Sequence, residues 1–235
     1  MIHYKARLTS LLLEPYQNAA GRLHIPLAAL PRPGQYLQAH DPADAENVLA
    51  TQLFPAGHEP ASRDGETIEL AVAGPLPASW QPGAQLLLRG PLGRGFSLPA
   101  GARRLVLAAS GRNAARLLPV AAEAVEVALF CDEPPGELPS HIEVQPLAAL
   151  PAALVWADFL ALDIPPAHIE ELPKLLGIHE RAPKTLRGQA LVTPPMPCGG
   201  LAQCGVCSFA TPHKALLACN QGPVFPLADL LPSRL

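Results

Sequence analysis

Aromatic side chains and lysines are scarce in this chain: six Phe, three Tyr and two Trp, and only four Lys. A core built from it must rest mainly on Leu, Val and Ala. No run of roughly 18 or more apolar residues exists, so no bilayer-spanning helix is expected. The opening stretch Met1–Arg7 lacks the apolar centre of a secretory signal, and a cytoplasmic protein is expected. Basic residues are scattered rather than striped among aromatics, and the formal net charge is −3, which argues against nucleic-acid binding. A disulfide framework is equally disfavoured, because the five cysteines are an odd number in a chain without a secretory signal. No internal repeat or low-complexity linker is present.

What is there is proline, 29 residues of it in a chain of 235, mostly between apolar runs as expected of loops and edge strands. The length suits two small domains and a tail. Residues 1–100 read as short strands: Ile2 to Leu13, Arg22 to Leu27, Gln35 to Ala39, Thr67 to Val72 and Gln85 to Leu88. That spacing predicts a small antiparallel barrel. Over residues 101–192 strands and helices alternate, which predicts a parallel sheet with helices on its faces. Leu105 to Ala109, Val125 to Phe130, Ile142 to Val144 and Ala153 to Trp156 are the expected strands. Asn113 to Ala124 and Pro166 to Leu176 are the expected helices. Residues 193–235 form a third segment, opened by the rigid stretch Thr193–Pro197. The fold class expected is therefore α+β with several domains: β-barrel, α/β domain and a C-terminal metal-binding segment.

Four cysteines fall in that tail. Cys198, Cys204, Cys207 and Cys219 are separated by five, two and eleven residues. Three thiolates from one loop and a later fourth can enclose an iron–sulfur cluster, and plant-type ferredoxins use a similar pattern with a first gap shorter by one residue. Gly199, Gly200 and Gly205 allow the backbone to curl and aim N–H groups at the sulfurs. Leu201, Val206 and Phe209 can shield the group. Zinc also takes four thiolates, but usually through two Cys-x-x-Cys knuckles, of which this chain has one. The spacing favours a 2Fe-2S cluster, with zinc as the alternative.

The runs Met196–Gly200, Cys204–Cys207 and Ala218–Phe225 resemble the C-terminus of the electron-transfer subunit of type B dihydroorotate dehydrogenases, within the ferredoxin reductase superfamily. Pro33-Gly34-Gln35-Tyr36 is similar to that family's Pro-Gly-Gln-Phe strand, and Gly90-Pro91-Leu92-Gly93-Arg94-Gly95-Phe96 to the turn that closes its barrel. The resemblance implies an FAD-binding barrel, an NAD-binding α/β domain and a 2Fe-2S segment. It implies Cys198, Cys204, Cys207 and Cys219 as cluster ligands, and Tyr36, Gly90, Pro91, Leu92, Gly93, Gly95 and Phe96 as the positions nearest FAD. It also implies a catalytic flavoprotein partner such as a dihydroorotate dehydrogenase, in a hetero-oligomer. Departures accompany it. Leu49–Pro55 lacks the family's Arg and Ser for flavin, and Ala73–Pro77 carries two prolines where N–H donors would meet phosphate. The loop Ser110-Gly111-Arg112-Asn113-Ala114-Ala115 keeps one glycine, and Leu160–Pro166 lacks the family's Cys-Gly-Pro. These departures weigh against NAD and leave FAD as an open alternative.

Among the remaining residues, Cys131 ends an apolar strand and reads as a buried small residue. The eight histidines form no metal-spaced pair, and His213 is a remote alternative ligand. Asp41, Asp44 and Glu46 read as a solvated loop. Ser110 follows a strand without the glycine frame of a nucleophile elbow. The expected function is electron transfer between a redox partner and a flavoprotein, with no substrate chemistry of the chain's own. A cluster-bearing scaffold that has lost FAD and NAD, or a zinc-stapled interaction module, are the alternatives.

Overall fold

A computed structural model describes residues 3–13, 19–57, 63–111, 114–122, 124–136, 138–178 and 187–232. Met1, Ile2, Arg112, Asn113 and Glu123 from the stretches above lie outside the described residues.

The first half is a barrel. Its strands are β1 (His3–Leu13), β2 (Ala19–Pro26), β3 (Tyr36–His40), β4 (Thr51–Pro55), β5 (Arg63–Asp64), β6 (Thr67–Ala73) and β7 (Gln85–Leu92). They are ordered β2-β1-β7-β3-β4-β6-β5, and β6 pairs back onto β2, so six antiparallel strands close on themselves. Alternation drives this arrangement. In β6 Ile68, Leu70 and Val72 are buried while Thr67, Glu69 and Ala71 between them are half-buried. Leu8, Leu23, Ile25, Leu37, Leu53 and Leu88 fill the interior, with Trp80 from the β6–β7 loop packed among them. Closure removes free sheet edges from most of the domain.

The second half is a sheet of β8 (Arg104–Ala109), β9 (Glu126–Phe130), β10 (Ile142–Gln145), β11 (Phe159–Ile164) and β12 (Gly188–Val192), with β15 (Val224–Pro226) on its edge. The order is β10-β9-β8-β11-β12-β15. The first five are parallel and β15 is antiparallel to β12. Every residue of β11 and Leu105–Ala109 of β8 are buried, as central strands of a sheet covered on both faces must be. Between β12 and β15 the chain forms a small hairpin, β13 (Ser208–Ala210) and β14 (Ala215–Leu217).

The barrel and α/β architecture matches the expectation, but several elements differ. The strand expected at Ala153–Trp156 is instead the end of the helical turn Leu150–Ala153 and the residues after it. Pro151 in its first turn starts a helix and cannot donate to a ladder. The strand in question is β11, which begins three residues later. Neither expected helix is one regular helix. Ala114–Leu117 and Pro166–Glu171 are 3₁₀ turns that pass into the single α-turns Leu118–Ala121 and Leu172–Leu175. Pro119 and Pro173 sit in the first turn of each α segment, where their missing N–H is tolerated, and the residues before them tighten into 3₁₀ geometry. Among the described residues no helix is long and apolar enough to cross a membrane.

The halves share a core. Tyr36, Phe54 and Phe96 of the barrel pack into the same buried cluster as β8, β11, Met196 and Phe225. Arg94 N–H donates to Gly222 O at 2.7 Å, and Ser97 N–H to Gln189 Oε1 at 2.8 Å. The turn Gly90–Phe96 therefore clamps the C-terminal segment against the barrel.

Candidate metal centre

The cysteine loop leaves β12 through Thr193–Pro197 and is pinned to the barrel at once. Gln38 Nε2, on β3, donates to Met196 O at 3.0 Å and approaches Pro197 O at 3.4 Å. Arg89 Nη1, on β7, donates to Cys198 O at 3.3 Å. Gly199 follows, with φ +57, and a Cβ there would collide with Gln38 Oε1 and lie 2.6 Å from Arg89 Nη1. Only glycine fits, for both its backbone angle and the space. Ala202 is the one non-glycine residue with positive φ among those described, at 57°. That conformation costs an L-residue about 1–2 kcal/mol, and such strain gathers at ligand sites.

The strain aims N–H groups at sulfur. The backbone N–H groups of Gln203, Ala202 and Cys204 and the Cys204 side chain all bear on the Cys198 thiol. Burial opposes its ionisation, but these donors together outweigh it and lower the thiol to about 6. Cys198 Sγ lies 3.9 Å from Cys219 Sγ, and Cys219 N–H approaches Cys207 Sγ at 3.5 Å. Burial, then the Cys207 thiol, push Cys219 up to about 12, although Ala202 N–H lies on it too. The sulfurs thus form a continuous run, Cys204 to Cys198 to Cys219 to Cys207. Cys207 and Cys219 are buried and Cys204 is exposed. Beside Cys204, Leu201 and Val206 are 48% and 54% exposed, so they rim the group rather than cover it. Phe209 is buried and meets Phe225 edge-on at 5.4 Å.

Does this loop suit a metal group? Two thiolates on one tetrahedral iron or zinc, each about 2.3 Å from it, lie about 3.8 Å apart. The separation of Cys198 and Cys219 fits that value. Among the described residues no three or more His, Cys, Asp or Glu side chains are gathered as ligands of a single metal ion. A second sign is polar. The Tyr36 hydroxyl is buried without a hydrogen-bond partner. Burial, then the Cys219 and Cys198 thiols, hold its pKa above the ordinary phenol value, so it stays a neutral donor. Soft sulfur ligands, a backbone nest and an idle donor together fit a thiolate-bound iron–sulfur group.

The residues matched to the flavin turn serve packing. At Gly93 (φ +74) the space beside Cα is taken by Pro223 and Gly222 O, and at Gly95 by Pro33 O. Leu92 pairs with Tyr36, and Phe96 packs against Gly34. Gly90–Pro91 and Gly222–Pro223 are both cis. The turn therefore receives the tail, and the buried Tyr36 beside it shares a cluster with Cys207 and Cys219.

The α/β sheet has its strand-order reversal between β8 and β11, where ligands bind in open sheets of this type. This crevice holds a buried ion pair: Arg116 Nε and Nη2 meet the Asp163 carboxylate at 2.7 and 2.8 Å. Their side chains are 8% and 2% exposed, and the guanidinium lies 5.2 Å from the centre of the Phe54 ring. Burial raises the Asp163 carboxyl while Arg116 counters it. Ser110 Oγ, in the loop after β8, bonds His168 Nδ1 at 2.9 Å. Sequence reasoning passed over both pairs, which join residues 47 and 58 positions apart with no local signature. His213 Nε2 meets Leu231 O at 2.8 Å. Cys131 is buried, which pushes its thiol up to about 11. Asp44 closes its exposed loop with Asn47 and Ser79.

This fold is that of the ferredoxin reductases: a closed antiparallel barrel joined to a parallel α/β domain. Solved structures that share it include the NADH-dependent reduced ferredoxin–NADP oxidoreductase studied for flavin-based electron bifurcation, at 16% identity and a TM-score of 0.68, covering 97% of this chain and 89% of that one. Phthalate dioxygenase reductase, a modular structure for electron transfer from pyridine nucleotides to 2Fe-2S, matches at 15% identity and 0.54, covering 80% and 68%. An Amycolatopsis cytochrome P450 reductase matches at 18% and 0.53, covering 82% and 70%. No protein-family model and no curated protein matches the sequence. Because these neighbours include proteins that use NADH and pyridine nucleotides, the expectation that NAD binding is lost gains no support from them.

Proposed function

We propose that this chain is an electron carrier in which Cys198, Cys204, Cys207 and Cys219 hold a 2Fe-2S cluster, relaying electrons between a redox partner and a catalytic flavoprotein of the dihydroorotate dehydrogenase kind. The observation that carries this reading is the run of four sulfurs with backbone N–H groups converging on Cys198. When bound, such a cluster accepts and releases one electron without breaking a bond. The chain's own work is electrostatic and geometric. Ala202, Gln203 and Cys204 aim donors at the sulfur that bears most charge. Gln38 and Arg89 fix the loop to the barrel. The exposed edge of Leu201, Cys204 and Val206 offers an apolar approach for a partner, in a hetero-oligomer.

A second reading is a cluster-bearing scaffold without FAD or NAD. It is favoured by the internal pairing of Arg116 with Asp163 and by the use of Gly93 and Gly95 for packing. If FAD is held, Tyr36 and Gly90–Phe96 are its candidate positions. Anaerobically purified full chain, assayed for iron, acid-labile sulfide, zinc and heat-released flavin, separates these readings. The electron-carrier and scaffold readings both require about two irons and two sulfides per chain. Cys204→Ser should remove them. Released FAD selects the carrier with its own flavin; one zinc per chain without iron overturns both in favour of a zinc-stapled module.

A further inference from the structure

Two cation- or proton-bearing groups of the barrel face the cysteine loop with donor capacity unused. The Tyr36 hydroxyl, from the first residue of β3, is buried and unpartnered. Its neighbours are the thiols of Cys219, Cys198 and Cys207 and the guanidinium of Arg89. Arg89 uses Nη1 on Cys198 O, but its Nε is buried without a partner. An unmet buried donor costs roughly 1–3 kcal/mol. Tyr36 shares a buried cluster with Cys207 and Cys219, against which Cys198 packs, and Arg89 bonds Cys198 O, so both donors point to an acceptor of negative charge in that loop. The nearby carbonyls of Met196 and Pro197 already accept from Gln38, and that of Cys198 from Arg89. The sulfurs of the cysteine loop are further acceptors on this face.

Resting on the cluster assignment above, we propose that Tyr36 and Arg89 are positioning residues of the cluster: the Tyr36 hydroxyl donates a hydrogen bond to one of its sulfurs, and Arg89 sets a positive charge beside the same group. Reduction adds one electron from an external donor and makes the group one unit more negative, with no bond broken. Donors and a cation favour the more negative state, so both residues raise the reduction potential above what the loop's N–H groups achieve alone. Nothing in the loop itself encodes this. The barrel, distant in sequence, tunes a group held by the tail, which gives the docking of tail on barrel a chemical purpose.

The test is a midpoint titration of the anaerobic full-length protein against dithionite with redox mediators, alongside iron and sulfide assays. Tyr36→Phe should keep the iron and sulfide content of the parent and shift the potential negative by about 60 mV, a tenfold loss of preference for the reduced form in a one-electron couple. An unchanged potential at full iron content overturns the proposal while leaving the cluster assignment intact. Absence of iron–sulfur in the parent protein defeats the underlying assignment instead. Should Tyr36→Phe fail to fold, Arg89→Gln and Arg89→Lys carry the test. The Gln variant should shift negative and the Lys variant should restore part of the potential; equal potentials in the two overturn it.

Discussion

The two places where this fold can hold a cofactor are furnished in opposite ways. At the reversal of the α/β sheet, the polar groups described have found partners within the chain: Arg116 with Asp163, and Ser110 with His168. At the cysteine loop, buried donors are left over, namely the Tyr36 hydroxyl and Arg89 Nε. Both sites are polar, and both lie where barrel meets α/β domain or tail. A satisfied polar network holds a structure together, whereas an unsatisfied one marks where something else belongs. A third pair sharpens the contrast. At the opposite end of β8 and β11, Arg104 meets Asp158 at 2.7 Å, with 42% and 31% of their side chains exposed. One Arg–Asp pair thus joins the start of β8 to the residue before β11 and the other joins the turn after β8 to the end of β11, the first wet and the second buried.

The largest effect should come from the buried pair. Arg116→Met leaves a carboxylate stranded in the core and is expected to cost about 3–5 kcal/mol in denaturant unfolding, most of it recovered in the double variant Arg116→Met/Asp163→Leu. If Arg116→Met instead leaves stability unchanged and abolishes dinucleotide retention, the crevice is a ligand site and the contrast collapses. Next comes the joint beneath the cysteine loop. Gly93→Ala places a methyl group against Pro223 at positive φ. Backbone strain of about 1 kcal/mol plus overpacking of about 1–3 kcal/mol predict a loss of roughly 2–4 kcal/mol; a neutral result means the tail is not clamped there. The smallest effect belongs to the exposed pair. Arg104, through its side chain and backbone N–H, and Arg103 N–H hold the Asp158 carboxyl well below its ordinary range. A depressed carboxylate stabilises the fold above its unfolded pKa of about 3.9, and that contribution is lost as pH falls through the lower folded value. Asp158→Asn should therefore lower stability slightly at neutral pH, leave the acid end unchanged and so flatten the acid limb of a stability–pH curve.

Much of the architecture was legible because its signals are local. Alternation in Thr67–Ala73 and the apolar run Leu105–Ala109 each announce a strand, and the change of period near Arg103 announces the second domain. β11 was hidden because Phe159–Ile164 runs into Pro165-Pro166 and contains Asp163, which reads as polar until its partner is known. The prolines that flank Val224 and Phe225 obscured β15. Prolines are tolerated there because β15 is an edge strand. At the candidate site the spacing of the cysteines and glycines singled out the loop that the fold brings together. The contribution of Tyr36, Gln38 and Arg89 could not be read, because their meeting with residues 196–219 is made only by tertiary docking.

One pairing holds the cysteine loop closed. Leu191 faces Val224 across the β12–β15 ladder, so residues 192–223 depart from and return to the same rung. The sheet, rather than an ion, brings the ends of that excursion together, and the entropy of closure, on the order of 3 kcal/mol for such a length, is met by main-chain hydrogen bonds. Small zinc domains melt when chelated because the ion alone shuts the loop. Here the β12–β15 ladder does that work whether or not anything is bound between its ends.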